Sequence, residues 1–490
     1  MVRVDASAQM GTGHVMRCLA LAQGWQDLGG SVVFATIDLP DSLAQRLAHN
    51  QITTLYLQAL PGSTEDVQQL IEQVKTHGCT WIVVDGYHFG ADYQARLCEA
   101  GCKVLFVDDY GHAERYTAQL ILNQNLGAKG ELYQSRSPAS RLLLGPKYAL
   151  LRREFWAWRG LHRTIPAKAK NVLITLGGSD PDNVTQKGLE AVVGLHDPAL
   201  QCTAIVGSSF SQLATLKNWA KQHPHVDIRS NVTDMPEWMK WADVAIAAGG
   251  TTTWERCLLG LPSIVVVLAD NQVSIAKALE DRQLATVVQS STASIQSALH
   301  ELINNFDKRQ QMARGGQALV DGWGVQRVLA QMHPLPLELQ PATQEHARLL
   351  YAWANQPEIR QASFNNAPIP WEVHQQWYTD RLHDPLTQMW LICTPDTPIG
   401  LVRFQMEQDE ATISINLCKE YQGLGLGHRV IQLACERFLD TYPSVRIQAL
   451  IRKENRASVH AFQKAGFQNL QPTMVKGCEA YRLTLQRVSS

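Results

Sequence analysis

The sequence has no excess of one charge, no long apolar run and no paired-cysteine motif, and each absence argues against a class of function. Its 490 residues carry 44 Lys and Arg against 45 Asp and Glu, so no broad basic surface argues for nucleic-acid binding. No apolar run approaches the roughly 20 residues that a membrane-spanning helix needs. The ten cysteines form no C-x-x-C pair, which removes the usual sequence signal for a zinc site.

Length and N-terminal composition narrow the class further. A chain of 490 residues is long enough for about three domains of roughly 150 residues each. The N-terminus lacks the charged segment, apolar stretch and small-residue cleavage site of a signal peptide. We therefore expect a cytoplasmic protein with reduced thiols, no metal, and neither a membrane nor a nucleic acid as partner. These features leave the oligomeric state open.

Apolar runs alternate with amphipathic segments in two long stretches, which predicts two α/β domains. In residues 1–160 the runs SVVFAT, WIVVDG, KVLFVDD and LILNQN are apolar without alternation, as in the strands of a parallel sheet. The same rhythm restarts at Asn171 with NVLITLGGSD. We predict two Rossmann-like domains, at 1–160 and 161–332, with a ligand cleft at the carboxyl ends of their strands.

The last third of the chain has a different pattern of polar and apolar residues. The segment HPLPLELQP, residues 333–341, is rich in proline and is predicted to be a linker, because proline disfavours a helix there. Beyond it, runs such as ATISINL and RIQALI alternate polar and apolar residues. Residues 342–490 are therefore predicted to form a separate α+β domain.

A glycine-rich turn precedes a histidine near the N-terminus, in VDASAQMGTGHVMRCLALAQ. Gly11 and Gly13 allow a tight turn after the first strand and a close approach by a substrate. His14 follows where a helix begins, and there the helix dipole favours a neutral imidazole that can accept a proton from water. A packed or helix-capping histidine is the alternative. This turn has no G-x-G-x-x-G motif, which disfavours a dinucleotide cofactor.

The second α/β stretch has two Gly-Gly turns, each at the end of a predicted strand. The second turn, in AAGGTTTWERCLLG, leads into a helix with Glu255 in its first turn. Glycines and hydroxyls at a helix N-terminus suit a diphosphate, and Glu255 is placed to bind a ribose diol. Helix capping by a threonine is the alternative, but it leaves the paired glycines unexplained. The predicted diphosphate-binding residues are Gly177, Gly178, Gly249, Gly250, Thr251 and Thr252.

Residues 1–332 together resemble a known hydrolase family. The second stretch is similar to the nucleotide-binding domain of glycosyltransferase-B proteins, in particular the lipid-II-forming N-acetylglucosaminyltransferase. The first adds VDAS, GTGHVMRCLALA, DGYHF, VDDYG, ILNQN and LLGPKYALLRREF. With these motifs the stretch resembles the UDP-2,4-diacetamido-2,4,6-trideoxy-β-L-altropyranose hydrolases of pseudaminic acid biosynthesis. The family has more residues before its first motif than MVRVDAS offers, so we expect a short first strand.

The resemblance implies a reaction and the residues that perform it. Water attacks the anomeric carbon and UDP leaves without help from a metal. His14 is implied as the base for that water, with Tyr87 and Asn271 as further catalytic residues, and Glu255 as the ribose ligand. UDP is a good leaving group, so one base, an oriented water and donors to the pyrophosphate suffice. The residues implied to contact the substrate in the first stretch are Asp5, Gly11, Gly13 and Arg17.

The last domain carries two motifs of another family. CKEYQGLGLGHRVIQLACERF contains Q-x-x-G-x-G before a predicted helix, and NRASVHAFQKAGF follows downstream. Both are similar to the acetyl-CoA signature of GNAT N-acetyltransferases, which implies acetyl-CoA as cosubstrate. Phe462 stands where many such enzymes have a proton-donating tyrosine, so the general acid stays unassigned. The residues implied to bind acetyl-CoA are Gln422, Gly423, Gly425, Gly427, Asn455 and Ser458.

The two resemblances together imply consecutive steps of pseudaminic acid biosynthesis. The GNAT domain would acetylate the 4-amino group of UDP-4-amino-4,6-dideoxy-β-L-AltNAc. The hydrolase would then release UDP and free 2,4-diacetamido-2,4,6-trideoxy-L-altrose. Three alternatives stay open: a glycosyltransferase-B sugar transferase with an acetyltransferase for a related aminosugar, a different sugar such as an intermediate of legionaminic acid, and a non-catalytic nucleotide-sugar sensor whose last domain acetylates a protein.

Overall fold

The computed structural model describes residues 1–7, 11–178, 180–207, 210–230, 232–269, 272–333, 336–395 and 397–485. The chain divides into two compact units, Met1–Met332 and His333–Ser490. Within the described ranges, no helix has both the length and the apolar character needed to cross a membrane.

The first unit begins with a seven-stranded sheet in the order β3-β2-β1-β4-β5-β6-β7, all parallel. Its strands are β1 (Val2–Val4), β2 (Val33–Thr36), β3 (Thr53–Tyr56), β4 (Trp81–Asp85), β5 (Lys103–Val107), β6 (Leu120–Asn123) and β7 (Arg141–Leu144). Its helices are α1 (Gly13–Asp27), α2 (Asp41–His49), α3 (Thr64–Thr76) and α4 (Ala91–Glu99). The inner strands are apolar on both faces because a buried core lies on each side of the sheet. As expected, β1 is short.

The same unit contains a second parallel sheet, in the order β10-β9-β8-β11-β12-β13. Its strands are β8 (Asn171–Thr175), β9 (Gln201–Val206), β10 (Val226–Ser230), β11 (Val244–Ala248), β12 (Ser263–Val266) and β13 (Thr286–Val288). The helices that follow are α5 (Val184–Val193), α6 (Leu213–Ala220), α7 (Met235–Trp241), α8 (Thr252–Leu258), α9 (Val273–Asp281), α10 (Thr292–Asn304), α11 (Phe306–Leu319) and α12 (Gly324–Met332). The two predicted Rossmann-like domains are therefore present.

The last helix of the unit departs from the predicted division at residue 160. Helix α12 buries Val325, Val328, Leu329 and Met332 in the core of the first sheet, not the second. These four residues form one apolar stripe at helical spacing, which needs an apolar partner surface. Helix α1 supplies that surface, and a methyl group on Gly24 would lie 2.4 Å from Val325 Cγ1. The chain therefore returns to its first domain before the unit ends.

The second unit has a seven-stranded sheet in the order β14-β15-β16-β17-β18-β20-β19. Its strands are β14 (Glu338–Pro341), β15 (Thr387–Thr394), β16 (Thr397–Glu407), β17 (Glu410–Leu417), β18 (Arg446–Arg452), β19 (Gln468–Val475) and β20 (Cys478–Leu485). Its helices are α13 (Ala347–Ala354), α14 (Pro357–Ala362), α15 (Trp371–His383), α16 (Leu426–Thr441) and α17 (Arg456–Lys464). Strands β17 and β18 are parallel, and the other pairs are antiparallel.

The predicted linker at 333–341 is too long by four residues. Residues 338–341 form β14, which pairs antiparallel with β15 from Glu338↔Cys393 to Pro341↔Trp390. Proline is tolerated there because β14 is an edge strand and Pro341 is its last residue. The α+β domain therefore begins at the start of β14.

Candidate active sites

In the first unit, polar side chains gather where β4, β5 and β6 end, around the start of α1. His14 lies in the first turn of α1 and is 6% exposed. Its Nδ1 lies 2.6 Å from Oδ1 of Asp85, the last residue of β4. A carboxylate accepts hydrogen bonds, so we assign the proton to Nδ1, which leaves the Nε2 lone pair to accept a proton.

Arg17 lies one helical turn after His14 and bonds two carboxylates. Its Nε donates to Asp85 Oδ2 at 2.6 Å and its Nη1 to Asp109 Oδ1 at 2.7 Å. Nη2 lies 3.1 Å from His14 Nδ1, but both of its hydrogens are directed to carboxylate oxygens, at 2.7 and 3.1 Å. The family resemblance implies that Arg17 contacts the substrate, whereas the structure gives it these internal partners.

The electrostatic balance keeps Asp85 ionised. Burial alone would raise the pKa of its carboxyl group, but Arg17 and His14 outweigh burial and hold that pKa well below its usual range. The pKa of Asp109 is also lowered, because the nearby Arg17 guanidinium outweighs the effect of burial. The imidazole therefore faces a permanent negative charge at Nδ1, which holds the tautomer whose free lone pair is on Nε2.

Tyr87 joins the same group from the loop after β4. Its hydroxyl donates to Asp109 Oδ2 at 2.8 Å, and its ring meets the His14 ring edge to face at 5.0 Å between centroids. Asn125, after β6, donates from Nδ2 to Asp109 Oδ1 at 2.9 Å. The structure thus brings His14 and Tyr87 together around Asp109. Residue-by-residue reasoning missed Asp85, Asp109 and Asn125, although DGYHF, VDDYG and ILNQN already placed them at strand ends.

Replacing Asp85 by asparagine is expected to slow any step that uses His14 as a base by at least about 100-fold. The amide leaves Arg17 with one carboxylate fewer and removes the charge that holds the Nδ1 proton. The ring-nitrogen chemical shifts of His14 in ¹⁵N NMR should show a change of tautomer. Unchanged activity with an unchanged spectrum would contradict this role for Asp85.

Asp5, implied to contact the substrate, lies in a separate buried network after β1. Its Oδ1 accepts from Arg3 Nη1 at 2.7 Å, from the Ile37 backbone nitrogen at 2.7 Å and from Thr36 Oγ1 at 3.0 Å. Arg3 in turn makes two bonds to Asp66, at 2.9 and 2.8 Å. These bonds tie β1 to the loop after β2, so the structure gives Asp5 a scaffold position.

The glycine turns of the two sheets face each other within the first unit. A methyl group on Gly178 would lie 3.0 Å from Thr12 Cγ2, and one on Gly13 would lie 3.4 Å from Thr251 Oγ1. Gly11 and Gly177 have φ angles of +76° and +100°, which favour glycine. The turn before His14 and both Gly-Gly turns therefore lie close together in space.

A glutamine organises the second Gly-Gly turn. Oε1 of Gln272 accepts from the backbone nitrogens of Gly249 and Leu268, each at 3.2 Å. A methyl group on Gly250 would meet no atom within 4 Å, so space is open above that residue. Asn271, implied as a catalytic residue, lies outside the described residues. Gln272 was missed, and its only sequence signal is its place directly after that asparagine.

Glu255 has one oxygen held by the protein and one without a partner. Its Oε1 accepts from Arg152 Nε at 3.2 Å and Nη2 at 2.9 Å. Its Oε2 is buried and has no hydrogen-bond partner among the described residues. Thr251 and Thr252 lie one turn earlier, and the Thr251 side chain makes no capping bond. A buried carboxylate oxygen without a partner is costly, so this arrangement suits a ligand hydroxyl. Arg152 was missed, although LLRREF contains it.

In the second unit, β17 and β18 separate at one end of the sheet. They pair from Glu410↔Arg446 to Ile413↔Ala449, and their later residues are not paired with each other. The Q-x-x-G-x-G loop follows β17, and Gln422 Nε2 donates to the Leu417 carbonyl at 2.7 Å. The separated strands leave backbone groups beside the loop that can bond an extended cosubstrate.

Backbone conformation and close packing explain why this loop has glycine at three positions. Gly423 and Gly425 have φ angles of +73° and +76°, and Gly425 is the N-cap of α16. A methyl group on Gly427 would lie 3.3 Å from Ala461 Cβ, so α16 and α17 approach closely there. A turn of this kind at the start of a long helix suits a pyrophosphate. Gln422 holds the loop to the strand instead of projecting from it.

The second motif of this unit forms helix α17. Oδ1 of Asn455 accepts from the Ser458 backbone nitrogen at 3.1 Å, so Asn455 caps the helix. Phe462 is buried and packs edge to face on Phe467, with centroids 4.9 Å apart. The structure therefore places Phe462 in the core. The phenylalanine side chain has no group that could protonate a thiolate.

Comparison with protein families and known proteins agrees with this division. Residues 172–321 match the glycosyltransferase family 28 C-terminal domain, and residues 337–468 match the acetyltransferase (GNAT) domain. An uncharacterized protein of Methanocaldococcus jannaschii is 23% identical over 94% of this chain and 95% of its own length. That relative spans both units.

Two further relatives match the first unit. The spore coat polysaccharide biosynthesis protein SpsG of Bacillus subtilis is 25% identical over 68% of this chain and 96% of its own length. The UDP-2,4-diacetamido-2,4,6-trideoxy-beta-L-altropyranose hydrolase of Campylobacter jejuni is 26% identical over 56% of this chain and 93% of its own length. The chain is therefore an enzyme that joins a relative of this hydrolase, with a glycosyltransferase family 28 C-terminal domain, to a GNAT acetyltransferase domain.

Proposed function

We propose that this enzyme acetylates a UDP-linked 4-amino sugar and then hydrolyses the acetylated product to free sugar and UDP. The sugar is UDP-4-amino-4,6-dideoxy-β-L-AltNAc, and the product is 2,4-diacetamido-2,4,6-trideoxy-L-altrose. The observation that carries the hydrolytic step is the contact of His14 with ionised Asp85, near the two Gly-Gly turns of the second sheet. The order of the two steps is supported by the name of the Campylobacter hydrolase, whose substrate already carries two acetamido groups, and by the presence of a GNAT domain that can add one of them.

In the hydrolytic step, His14 acts as general base. Its Nε2 takes a proton from water as the water oxygen bonds to the anomeric carbon, and the bond from that carbon to the UDP oxygen breaks. The electron pair of that bond leaves on the diphosphate. Asp85 stabilises the imidazolium that forms, since its Oδ1 already accepts from Nδ1. Tyr87 limits the space beside the imidazole through its edge contact.

In the acetylation step, the second unit binds acetyl-CoA, which supplies a thioester carbonyl for attack by the sugar amine. Gly423 and Gly425 turn the loop so that backbone nitrogens at the start of α16 face the pyrophosphate. The separated ends of β17 and β18 hold the extended arm of the cosubstrate by backbone hydrogen bonds. The amine nitrogen bonds to the thioester carbonyl carbon, the carbon–sulfur bond breaks, and CoA leaves as a thiolate. The proton that the amine loses passes through water to that thiolate.

The test is an NMR time course of the purified full chain with acetyl-CoA and UDP-4-amino-4,6-dideoxy-β-L-AltNAc. We expect the 4-acetamido sugar nucleotide to appear first, followed by free sugar and UDP in equal amounts. Acetylation without cleavage would contradict the hydrolase assignment and favour a sugar transferase that awaits an acceptor. Acetylation of the legionaminic-type epimer at a higher rate would reassign the sugar.

Replacing Glu255 by glutamine tests the nucleotide part of the proposal. We expect UDP to bind about 10- to 100-fold more weakly, because a hydrogen bond to a charged carboxylate contributes roughly 1.5–3 kcal/mol. The wild-type protein should prefer UDP over 2′-deoxy-UDP, and the variant should lose that preference. Isothermal titration calorimetry measures both affinities, with exposed Glu301→Gln as the control. A preserved preference in the variant would show that Glu255 does not bind the ribose.

A further inference from the structure

Two buried guanidinium groups in the second sheet domain differ in how the protein bonds them. Arg309 donates to the carbonyl oxygens of Leu302, Ile303, Pro166 and Ala167 at 2.6 to 2.9 Å. Arg256, which is 2% exposed, makes only long contacts. Its Nη atoms lie 3.3 Å from the Ala248 carbonyl oxygen and 3.2 to 3.4 Å from the hydroxyls of Thr252 and Thr253. Arg256 is therefore the weakly held member of the pair.

The charge of Arg256 is also only partly offset by the described residues, because Glu255 acts on it without a direct ion pair. No ion pair joins its guanidinium to a carboxylate in the part of the chain that the structure describes, and its Nε, like that of Arg309, has no hydrogen-bond partner there. The neighbouring Glu255 is bonded to Arg152 instead. Burial lowers the pKa of Arg256 to about 10, so the group remains a cation at neutral pH. An uncompensated buried charge is costly, and a protein gains from it only if something else supplies the negative charge.

The position of Arg256 indicates what supplies that charge. Its contacts are the carbonyl that directly precedes Gly249 and the hydroxyl of Thr252, at the two ends of the second Gly-Gly turn. The guanidinium thus lies against the turn, and space is open above Gly250 in the same turn. A dianionic group in that space would lie at the same turn as the cation. The protein atoms that contact the guanidinium are neutral carbonyl and hydroxyl oxygens.

We infer that Arg256 is a positioning residue that supplies the positive charge for the diphosphate of the nucleotide bound at Gly249–Gly250. The inference rests on the proposed nucleotide function and extends it, since Arg256 acts through the turn and does not touch the ligand. The same charge favours departure of UDP, because negative charge grows on the diphosphate as the glycosidic bond breaks. The free protein bears the cost of this charge, and the bound ligand offsets it.

The test compares ligands that differ only in phosphate number, in the full chain. For Arg256→Met we expect uridine affinity to change by less than about 2-fold and UDP affinity to fall about 10- to 100-fold, with UMP between them. Isothermal titration calorimetry gives the three affinities. Arg309→Met is the matched control, and we expect it to leave the ratio of UDP to uridine affinity unchanged. An equal loss for uridine and UDP in Arg256→Met would overturn the inference.

Thermal unfolding without ligand gives a second readout. Loss of a purely structural arginine lowers the melting temperature, whereas loss of a positioning arginine that carries a costly buried charge does not. We expect the Arg256→Met protein to melt at or above the wild-type temperature, whereas Arg309→Met melts lower because four carbonyl bonds are lost. Arg256→Gln keeps donors to Ala248 without the charge, and should show the same UDP-specific loss. Failure of both Arg256 variants to fold would show a structural role and overturn the inference. A wild-type protein that binds neither UDP nor uridine would instead contradict the proposed nucleotide function.

Discussion

Replacing His14 by alanine is expected to lower the rate of UDP release by about 10²- to 10⁴-fold while acetyl transfer continues at the wild-type rate. The physical reason is that the variant loses the imidazole whose Nδ1 is held by ionised Asp85. Water itself is then the only proton acceptor at the anomeric carbon. Acetyl transfer should persist because the Gly425 loop belongs to the other compact unit, with its own sheet.

The measurement is a single-turnover assay of UDP release from the acetylated sugar nucleotide, with a separate assay of free CoA. Exposed His300→Ala is the matched control and should keep both rates. Titration with UDP shows whether the His14 variant still binds its product, which separates lost chemistry from lost folding. If UDP release in the His14 variant stays within a few-fold of wild type, His14 is not the base and the water is activated elsewhere.

Replacing Gly425 by aspartate should have the opposite pattern, with acetyl transfer strongly reduced and UDP release unaffected. Gly425 has a φ of +76°, where an L-residue costs roughly 1–2 kcal/mol. The carboxylate would also repel an anionic pyrophosphate at the start of α16 by about 1 kcal/mol. Together these effects lower kcat/KM for acetyl-CoA by roughly 30- to 100-fold. Aspartate is a favourable N-cap, so the helix itself should still form.

Gly477 offers a matched control for that variant. It has a φ of +78° in the turn between β19 and β20, and a methyl group there would meet no atom within 4 Å. Gly477→Asp therefore carries the same backbone strain and the same charge in a turn outside the Q-x-x-G-x-G loop. We expect it to keep acetyl transfer near the wild-type rate. Equal losses in the two variants would mean that strain, and not the position of the charge, explains the effect.

The alternation of apolar runs with amphipathic segments predicted the fold class. In a parallel sheet covered by helices, each buried strand and each connecting helix leaves its own local sequence pattern. WIVVDG and KVLFVDD became β4 and β5, since strands buried on both faces leave a continuous apolar signature. Two boundaries were wrong for a shared reason. Helix α12 packs on the first sheet and β14 pairs with β15, and both partners are remote in sequence. A local sequence pattern does not determine which distant surface an apolar stripe packs against or which strand an edge strand pairs with.

For the candidate sites, the sequence by itself determined the chemistry available: an imidazole after a glycine turn, paired glycines after strands, and Q-x-x-G-x-G before a helix. Only the tertiary structure decided which groups act on one another. It directs Arg17 inward onto Asp85 and Asp109. Among the described residues, it leaves one oxygen of Glu255 without a hydrogen-bond partner and Arg256 without an ion pair. The reason is that hydrogen bonds and charges act over a few ångströms, and residues as distant in sequence as Arg17 and Asp109 reach that range only when the sheet has formed.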